Sequence, residues 1–153
     1  MGYGSRDRKV HAARWFAAAG LLAACGLFGP DDSSPGANER GLAILAFYGD
    51  TSDVQLAATV GVGEITAVRF TSFGGGCIRQ DSTEVAVAGL TANIRPHRVE
   101  APPDAVCSAD LRIDQNVADL RFGEPGRARV RIVGLAQPGD WLFVLERDLL
   151  VSP

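Results

Sequence analysis

The chain has 153 residues, of which 46% are hydrophobic, and its formal net charge is −3 at neutral pH. This length suits one domain of ordinary size, and the apolar content argues against a wholly disordered chain. Lysine is confined to the N-terminal segment, and the rest of the chain is acidic on balance. A surface for the phosphate backbone of nucleic acids needs clustered basic residues, so nucleic acid is not an expected partner.

The N-terminal segment has the pattern of an export signal. Residues 1–14 are polar and basic, and Trp15–Ala24 is apolar except for Gly20. A basic segment followed by a short apolar segment is typical of a secretory signal peptide. An apolar stretch of this length is too short to cross a bilayer as a helix, which needs about 20 residues. Residues 1–24 are therefore predicted to form a signal helix that is removed.

A cysteine follows the apolar segment directly, in the sequence Leu22-Ala23-Ala24-Cys25. This segment resembles the lipobox of bacterial lipoproteins, in which an aliphatic residue and two small residues precede the cysteine that receives diacylglycerol. The resemblance implies cleavage before Cys25 and attachment of acyl chains such as palmitate to it, and two or more chains anchor a protein stably to a membrane. The alternative is ordinary signal-peptidase cleavage after Ala24 or Ala19, with Cys25 incidental.

The lipoprotein resemblance also implies a location. Gly26 stands where an aspartate would mark retention at the inner membrane in that family. The expected place is therefore the cell envelope, lipid-anchored, with the outer membrane favoured over the inner one if the organism is Gram-negative.

The three cysteines, Cys25, Cys77 and Cys107, are an odd number for an exported chain. Lipidation of Cys25 leaves one pair, and an exported chain meets an oxidising compartment, so a Cys77–Cys107 disulfide is predicted. Such a bond would stabilise the fold by about 3 to 4 kcal/mol. Two separate buried thiols are the alternative. A zinc site is less favoured because His97 is the only histidine beyond the signal segment, so no metal and no cofactor are predicted.

The remaining chain divides into a tether and a β domain. Residues 25–41 are rich in Gly, Pro, Ser and acidic residues, and are predicted to be the lipidated cysteine with a disordered tether. From residue 42 onward, short apolar runs alternate with polar residues and end at turns, and no helical period is sustained. Residues 42–153 are therefore predicted to form an all-β sandwich of about seven to nine short strands. The predicted strands cover 42–48, 54–60, 65–73, 84–88, 91–95, 111–113, 118–122, 128–134 and 141–145.

The C-terminal part has a turn at 123–126, a strand with alternating arginines, a second turn at 137–140 and an aromatic strand. This order resembles the end of immunoglobulin-like domains, whose last two strands form a hairpin, and implies an immunoglobulin-like sandwich over 42–153. The chain departs from antibody domains in its shorter cysteine spacing and in lacking a tryptophan between the cysteines. Signal, lipobox, tether and small β domain together resemble small uncharacterised bacterial lipoproteins, a likeness that implies no activity.

Three sets of residues could in principle carry chemistry. His97 could act as a general base, but a loop histidine without such a role is favoured. Gly74-Gly75-Gly76 could cradle an anion with its N–H groups, but a tight turn leading into Cys77 is the stronger interpretation. The acids Asp110, Asp114 and Asp119 lack the spacing of a calcium loop and are expected at solvated strand ends. No catalytic residue is predicted.

The best candidate for a binding surface is a stripe of three arginines. Arg127, Arg129 and Arg131 alternate with the apolar Ala128, Val130 and Ile132, so only one of the two sets can face a core. The arginines are predicted to point outward, where they could bind lipid headgroup phosphates or an acidic glycan. The alternative, which is favoured, is cross-strand pairing with acids such as Glu146 and Asp148.

The sequence thus favours a membrane-anchored envelope lipoprotein whose domain is a non-enzymatic binding or structural module. Its expected partners are the membrane, through the lipid on Cys25, and another envelope protein or a cell-wall polymer. A small envelope hydrolase or a metal-dependent enzyme is the alternative, disfavoured because the sequence contains no recognisable catalytic cluster.

Overall fold

The computed structural model describes residues 38–153, and these form eleven β-strands. The described residues contain no helix, and therefore none that could span a membrane. The predicted all-β class is confirmed, whereas the predicted signal helix and Cys25 lie outside the described residues. The strands are β1 (Glu39–Leu42), β2 (Ile44–Phe47), β3 (Asp50–Thr51), β4 (Val54–Gln55), β5 (Thr59–Gly61), β6 (Ile65–Gly74), β7 (Ile78–Ala88), β8 (Thr91–Glu100), β9 (Arg112–Arg121), β10 (Gly126–Gln137) and β11 (Trp141–Ser152).

Several observed strand boundaries differ from the sequence-based ones. The two strands predicted over 111–113 and 118–122 are one continuous strand, β9, and both β8 and β11 extend beyond their predicted ends. β1 begins at Glu39, within the segment expected to be a tether. The single strand predicted over 54–60 is two short strands, β4 and β5, which pair with different partners. β7 begins at Ile78 and not at residue 84, because its polar first half pairs with β8 through the backbone and needs no apolar alternation.

All strands belong to one sheet that curls on itself around β10. One edge of β10 pairs with β11 along its length, and the other edge pairs first with β8 and then with β2. Ala43 connects the two parts of that edge, since its N–H donates to Pro96 O at 2.8 Å and its carbonyl accepts from Leu135 N at 2.9 Å. Gly134 permits this approach, because a Cβ there would lie 2.6 Å from the Ala43 carbonyl oxygen. The chain of β1 and β2 thereby fills the gap between β8 and β10.

One hydrophobic core lies inside the curl. β6 and β9 contribute side chains from one side, and β8, β10 and β11 contribute them from the other. The largest fully buried members include Phe70, Phe122, Ile94, Leu120 and Ile132. Truncating a buried phenylalanine of this kind to alanine typically costs about 3 to 5 kcal/mol, so this core is the main source of stability.

Candidate functional site

An apolar row crosses the outer face of the sheet, on the side opposite the core. Residues directly opposite each other on paired strands share a face. The strand register aligns five apolar residues in this way: Leu142 of β11, Leu135 of β10, Ile44 of β2, Phe73 of β6 and Ile113 of β9. We call this set the outer row. Ile44 and Phe73 are buried, at 2% and 8% exposed, and Leu135 is half-buried, whereas Leu142 and Ile113 are 68% and 57% exposed.

A cleft of about 250 Å³ opens beside the middle of the outer row. The register between β10 and β2 shifts after Leu135, and both Ile44 and Phe47 line the cleft. The rings of Phe47 and Phe73 stack with their centroids 5.8 Å apart. The other principal lining side chains are Ile78, Asp110, Leu111 and Gln137.

The Cys77–Cys107 disulfide fixes one wall of this cleft. The predicted bond is confirmed, with a Cα–Cα distance of 5.1 Å. It joins the turn after β6 to the segment 101–111 that precedes β9. Because Ala109, Asp110 and Leu111 line the cleft, the disulfide holds this wall against the sheet.

The Gly74-Gly75-Gly76 turn packs tightly against the same segment. Gly75 has a φ of +117°, and a Cβ there would lie 2.1 Å from the carbonyl oxygen of Asp110. Gly76 donates its N–H to Asp110 Oδ1 at 3.1 Å, and the Ser108 hydroxyl donates to the same oxygen. The turn therefore binds a carboxylate of its own chain, and this contact supports the turn interpretation over an open anion cradle.

These hydrogen bonds favour the ionised form of Asp110. The Ser108 hydroxyl bond, followed by the Gly76 N–H bond, lowers the pKa of Asp110 from its ordinary value of 3.8. A carboxyl whose pKa is lowered by folding contributes stability that is present above its ordinary pKa and lost as pH falls through the folded-state pKa.

We therefore expect Asp110→Asn to lower the melting temperature at about pH 7, where the carboxylate is ionised, and to have little effect well below pH 3.8. Thermal unfolding of both proteins across this range measures the difference. If the difference in melting temperature between the two proteins stays the same as the pH falls, the ionised carboxylate of Asp110 is not what stabilises the wild type.

Asp110, Asp114 and Asp119 do not form a cluster in the structure. Asp114 receives two hydrogen bonds from Arg112, at 2.7 and 3.2 Å, which together with their mutual attraction raise the pKa of Arg112. Asp119 lies further along β9, opposite Ala67. Within residues 38–153, no three His, Cys, Asp or Glu side chains form a group that could hold a metal ion.

His97 lies on β8 and not in a loop, which corrects the sequence-based placement. It stands opposite Leu42 of β1, and its Nε2 lies 3.6 Å from Glu84 Oε2. Its side chain is mostly buried. This contact gives the ring a structural partner on β7.

The arginine stripe faces outward, as predicted from the alternation of β10. Ala128, Val130 and Ile132 are buried in the core. On the outer face, Arg129 Nε lies 3.3 Å from Asp148 Oδ1, and Arg131 Nε lies 3.0 Å from Glu146 Oε1. Cross-strand pairing therefore accounts for these two arginines, while a binding role of the stripe with Arg127 stays a prediction.

The Arg131–Glu146 pair should contribute little to stability because both side chains are partly exposed. A double-mutant cycle with Arg131→Gln and Glu146→Gln is expected to give a coupling energy of about 0.2 to 1 kcal/mol that shrinks in high salt. Chemical denaturation of the four proteins measures it. A coupling of several kcal/mol, insensitive to salt, would contradict an exposed pair.

The cleft was not predicted from the sequence. Its walls come from separate segments that no motif links, and the stacking of Phe47 on Phe73 depends on tertiary pairing. One signal was present, since Leu42–Tyr48 is apolar almost throughout. A strand that is apolar on both faces is usually covered on both faces, so the outer face at β2 needed a cover.

Comparison of the chain with known protein families, with curated proteins and with solved structures finds no match. Function is therefore inferred from the residues and geometry of this chain.

Proposed function

We propose that this chain is a lipid-anchored lipoprotein of the bacterial cell envelope, whose β domain is a binding or structural module and not an enzyme. The observation that carries the proposal is the Cys77–Cys107 bond. It uses two of the three cysteines and leaves Cys25, which directly follows Leu22-Ala23-Ala24. An odd cysteine at the end of a signal-like segment is the position that lipid modification requires.

Two further features support an envelope location. Disulfides persist in oxidising compartments and are rare in the cytosol, so the Cys77–Cys107 bond is consistent with export. The segment between Cys25 and β1 is rich in Gly, Pro, Ser and Asp, a composition suited to a tether. Gly26 after the cysteine favours the outer membrane over the inner one in a Gram-negative cell.

We also propose that the strands are arranged as an immunoglobulin-like sandwich. The antiparallel β10–β11 hairpin and the single core between two halves of the sheet support it. An experimental structure in which β6 with β9 and β10 with β11 occupy two facing sheets would support the proposal. A continuously closed barrel would contradict it.

A binding role is supported by the apolar surface around the cleft. Leu111 lines the cleft and is 57% exposed. Tyr48, which is 74% exposed, contacts the ring of the lining residue Phe47, and Trp141, which is 56% exposed, begins β11 opposite Ala136. Exposed aromatic and aliphatic side chains near a pocket are typical of protein–protein contact sites. The proposed partner is another envelope protein or a cell-wall polymer.

Lipid attachment is tested by growing bacteria that express the chain with radiolabelled palmitate. We expect label in the wild-type chain and its recovery in the membrane fraction, because acyl chains on Cys25 provide the anchor. Cys25→Ser should lose both the label and the membrane association. The Cys77→Ala/Cys107→Ala variant is the matched control and should keep both. An unlabelled wild-type chain, or label that survives Cys25→Ser, would contradict the proposal.

A further inference from the structure

The cleft is apolar inside and acidic at its rim. Asp110 lines it directly, Asp50 pairs with Phe47 across β2 and β3, and Asp140 accepts a hydrogen bond from Gln137. The two arginines nearby already face acids of their own chain. Arg112 is held by Asp114, and Arg98 lies 3.5 Å from Glu100 and 4.0 Å from Asp140. The acids around the cleft therefore outnumber the bases, and its electrostatic preference is for a cation.

Asp110 is the carboxylate best placed to receive that cation. Ser108 and Gly76 both donate to Oδ1. Neither of these two donors uses Oδ2, which is therefore the oxygen we assign to a partner. The same two hydrogen bonds keep the pKa of Asp110 low, and the group is negative at neutral pH.

The size and walls of the cleft suit one long side chain. Its volume of about 250 Å³ is below the range of roughly 300 to 1,000 Å³ that is common for small-molecule pockets. The stacked rings of Phe47 and Phe73 form an apolar wall next to Asp110. Lysine and arginine lay their aliphatic stems on such surfaces while the charged head stays at a polar rim, and aromatic rings attract cations.

We propose that the cleft binds an arginine or lysine side chain of a partner protein, with the stem against Phe47 and Phe73 and the head at Asp110. Apolar residues beside that side chain would contact Leu111 and Tyr48, which flank the cleft. This inference deepens the proposed binding role and rests on it. The charge of the rim favours a cationic partner over a purely apolar one, because an apolar partner would not offset the excess of acids around the cleft.

The test uses the full-length chain with Cys25→Ser, labelled with nitrogen-15, and a five-residue peptide with a central arginine between two leucines and blocked glycine ends. We expect saturable shifts of the amide signals of Gly74, Gly75 and Gln137. The same peptide with citrulline, which keeps the shape of arginine but lacks its charge, should bind several-fold more weakly.

Variants of the chain separate the two parts of the site. Asp110→Asn should weaken binding by up to about fivefold, the range of one exposed ion pair. Asp119→Asn is the matched control, because it removes the same charge at a distant position on β9, and should leave binding unchanged. Leu111→Gln, at an exposed position, should weaken binding through loss of apolar contact.

Several results would overturn the inference. These are equal binding of the arginine and citrulline peptides, no effect of Asp110→Asn in a folded variant, or shifts confined to other surfaces. Cleft signals that move with protein concentration alone would identify a second copy of the chain as the occupant. The same shifts with phosphatidylglycerol vesicles would identify a lipid surface. Because the Cys25→Ser chain lacks the anchor site, this test can fail while the palmitate test succeeds, and the reverse.

Discussion

Gly75→Ala should lower the free energy of unfolding by at least about 3 kcal/mol. Two effects combine at this position. The φ of +117° is unfavourable for any residue with a Cβ, and that Cβ would lie 2.1 Å from the backbone oxygen of Asp110. The oxygen cannot move away freely, since the Cys77–Cys107 bond holds its segment in place. Urea denaturation of the purified variant measures the loss.

Gly49→Ala is the matched control for this prediction. Gly49 has a φ of +99°, but nothing lies within 4 Å of its Cβ position. Only the unfavourable φ acts in this variant, so we expect the free energy of unfolding to fall by about 1 to 2 kcal/mol. Equal losses in the two variants would show that the close approach of Gly75 to Asp110 does not occur.

Removing the disulfide should have a similarly large effect. The bond closes a loop with a sequence separation of 30 residues, and its loss in Cys77→Ala/Cys107→Ala should destabilise the fold by about 3 to 4 kcal/mol because the unfolded chain regains conformational freedom. Wild-type protein in reducing agent should unfold at nearly the same denaturant concentration as the double variant.

The same variant should also loosen the cleft. Without the bond, the segment 101–111 keeps the hydrogen bonds from Gly76 N–H to Asp110 Oδ1 and from Ala101 N–H to Cys77 O. The amide hydrogens of 109–111 should then exchange faster than in the wild type. Hydrogen-exchange mass spectrometry measures this directly. A stability loss below about 1 kcal/mol, with unchanged exchange at 109–111, would contradict a role of the disulfide in holding the cleft wall.

The sequence predicted those features of the fold that depend on local pattern. Alternation along 128–134 gave both the strand and the outward direction of the arginines, because strand side chains change face at every residue. The arithmetic of three cysteines led to the Cys77–Cys107 pair. The β10–β11 hairpin agrees with what the resemblance to the end of immunoglobulin-like domains implied, although both strands are longer than predicted.

Features that depend on pairing between distant segments were not predicted from the sequence. The polar half of β7 is a strand because β8 supplies its backbone hydrogen-bond partners, and the pattern of side chains does not indicate this pairing. The outer row joins five strands through their register, and the shift after Leu135 is invisible in the sequence. His97 was misplaced for the same reason, since the strand predicted from the sequence ended at residue 95. Pro96 instead lies in β8 between its pairings with β10 and β1, where its carbonyl accepts from Ala43.

The most direct test of the account is mass spectrometry of tryptic peptides from the mature protein, prepared without reduction. Trypsin should release residues 25–40, 70–79 and 99–112 as the three cysteine-containing peptides. We expect 25–40 to begin at Cys25 with a diacylglycerol attached, and 70–79 and 99–112 to be recovered joined by a disulfide. An unmodified Cys25, a chain that begins elsewhere, or Cys25 bonded to either other cysteine would contradict it.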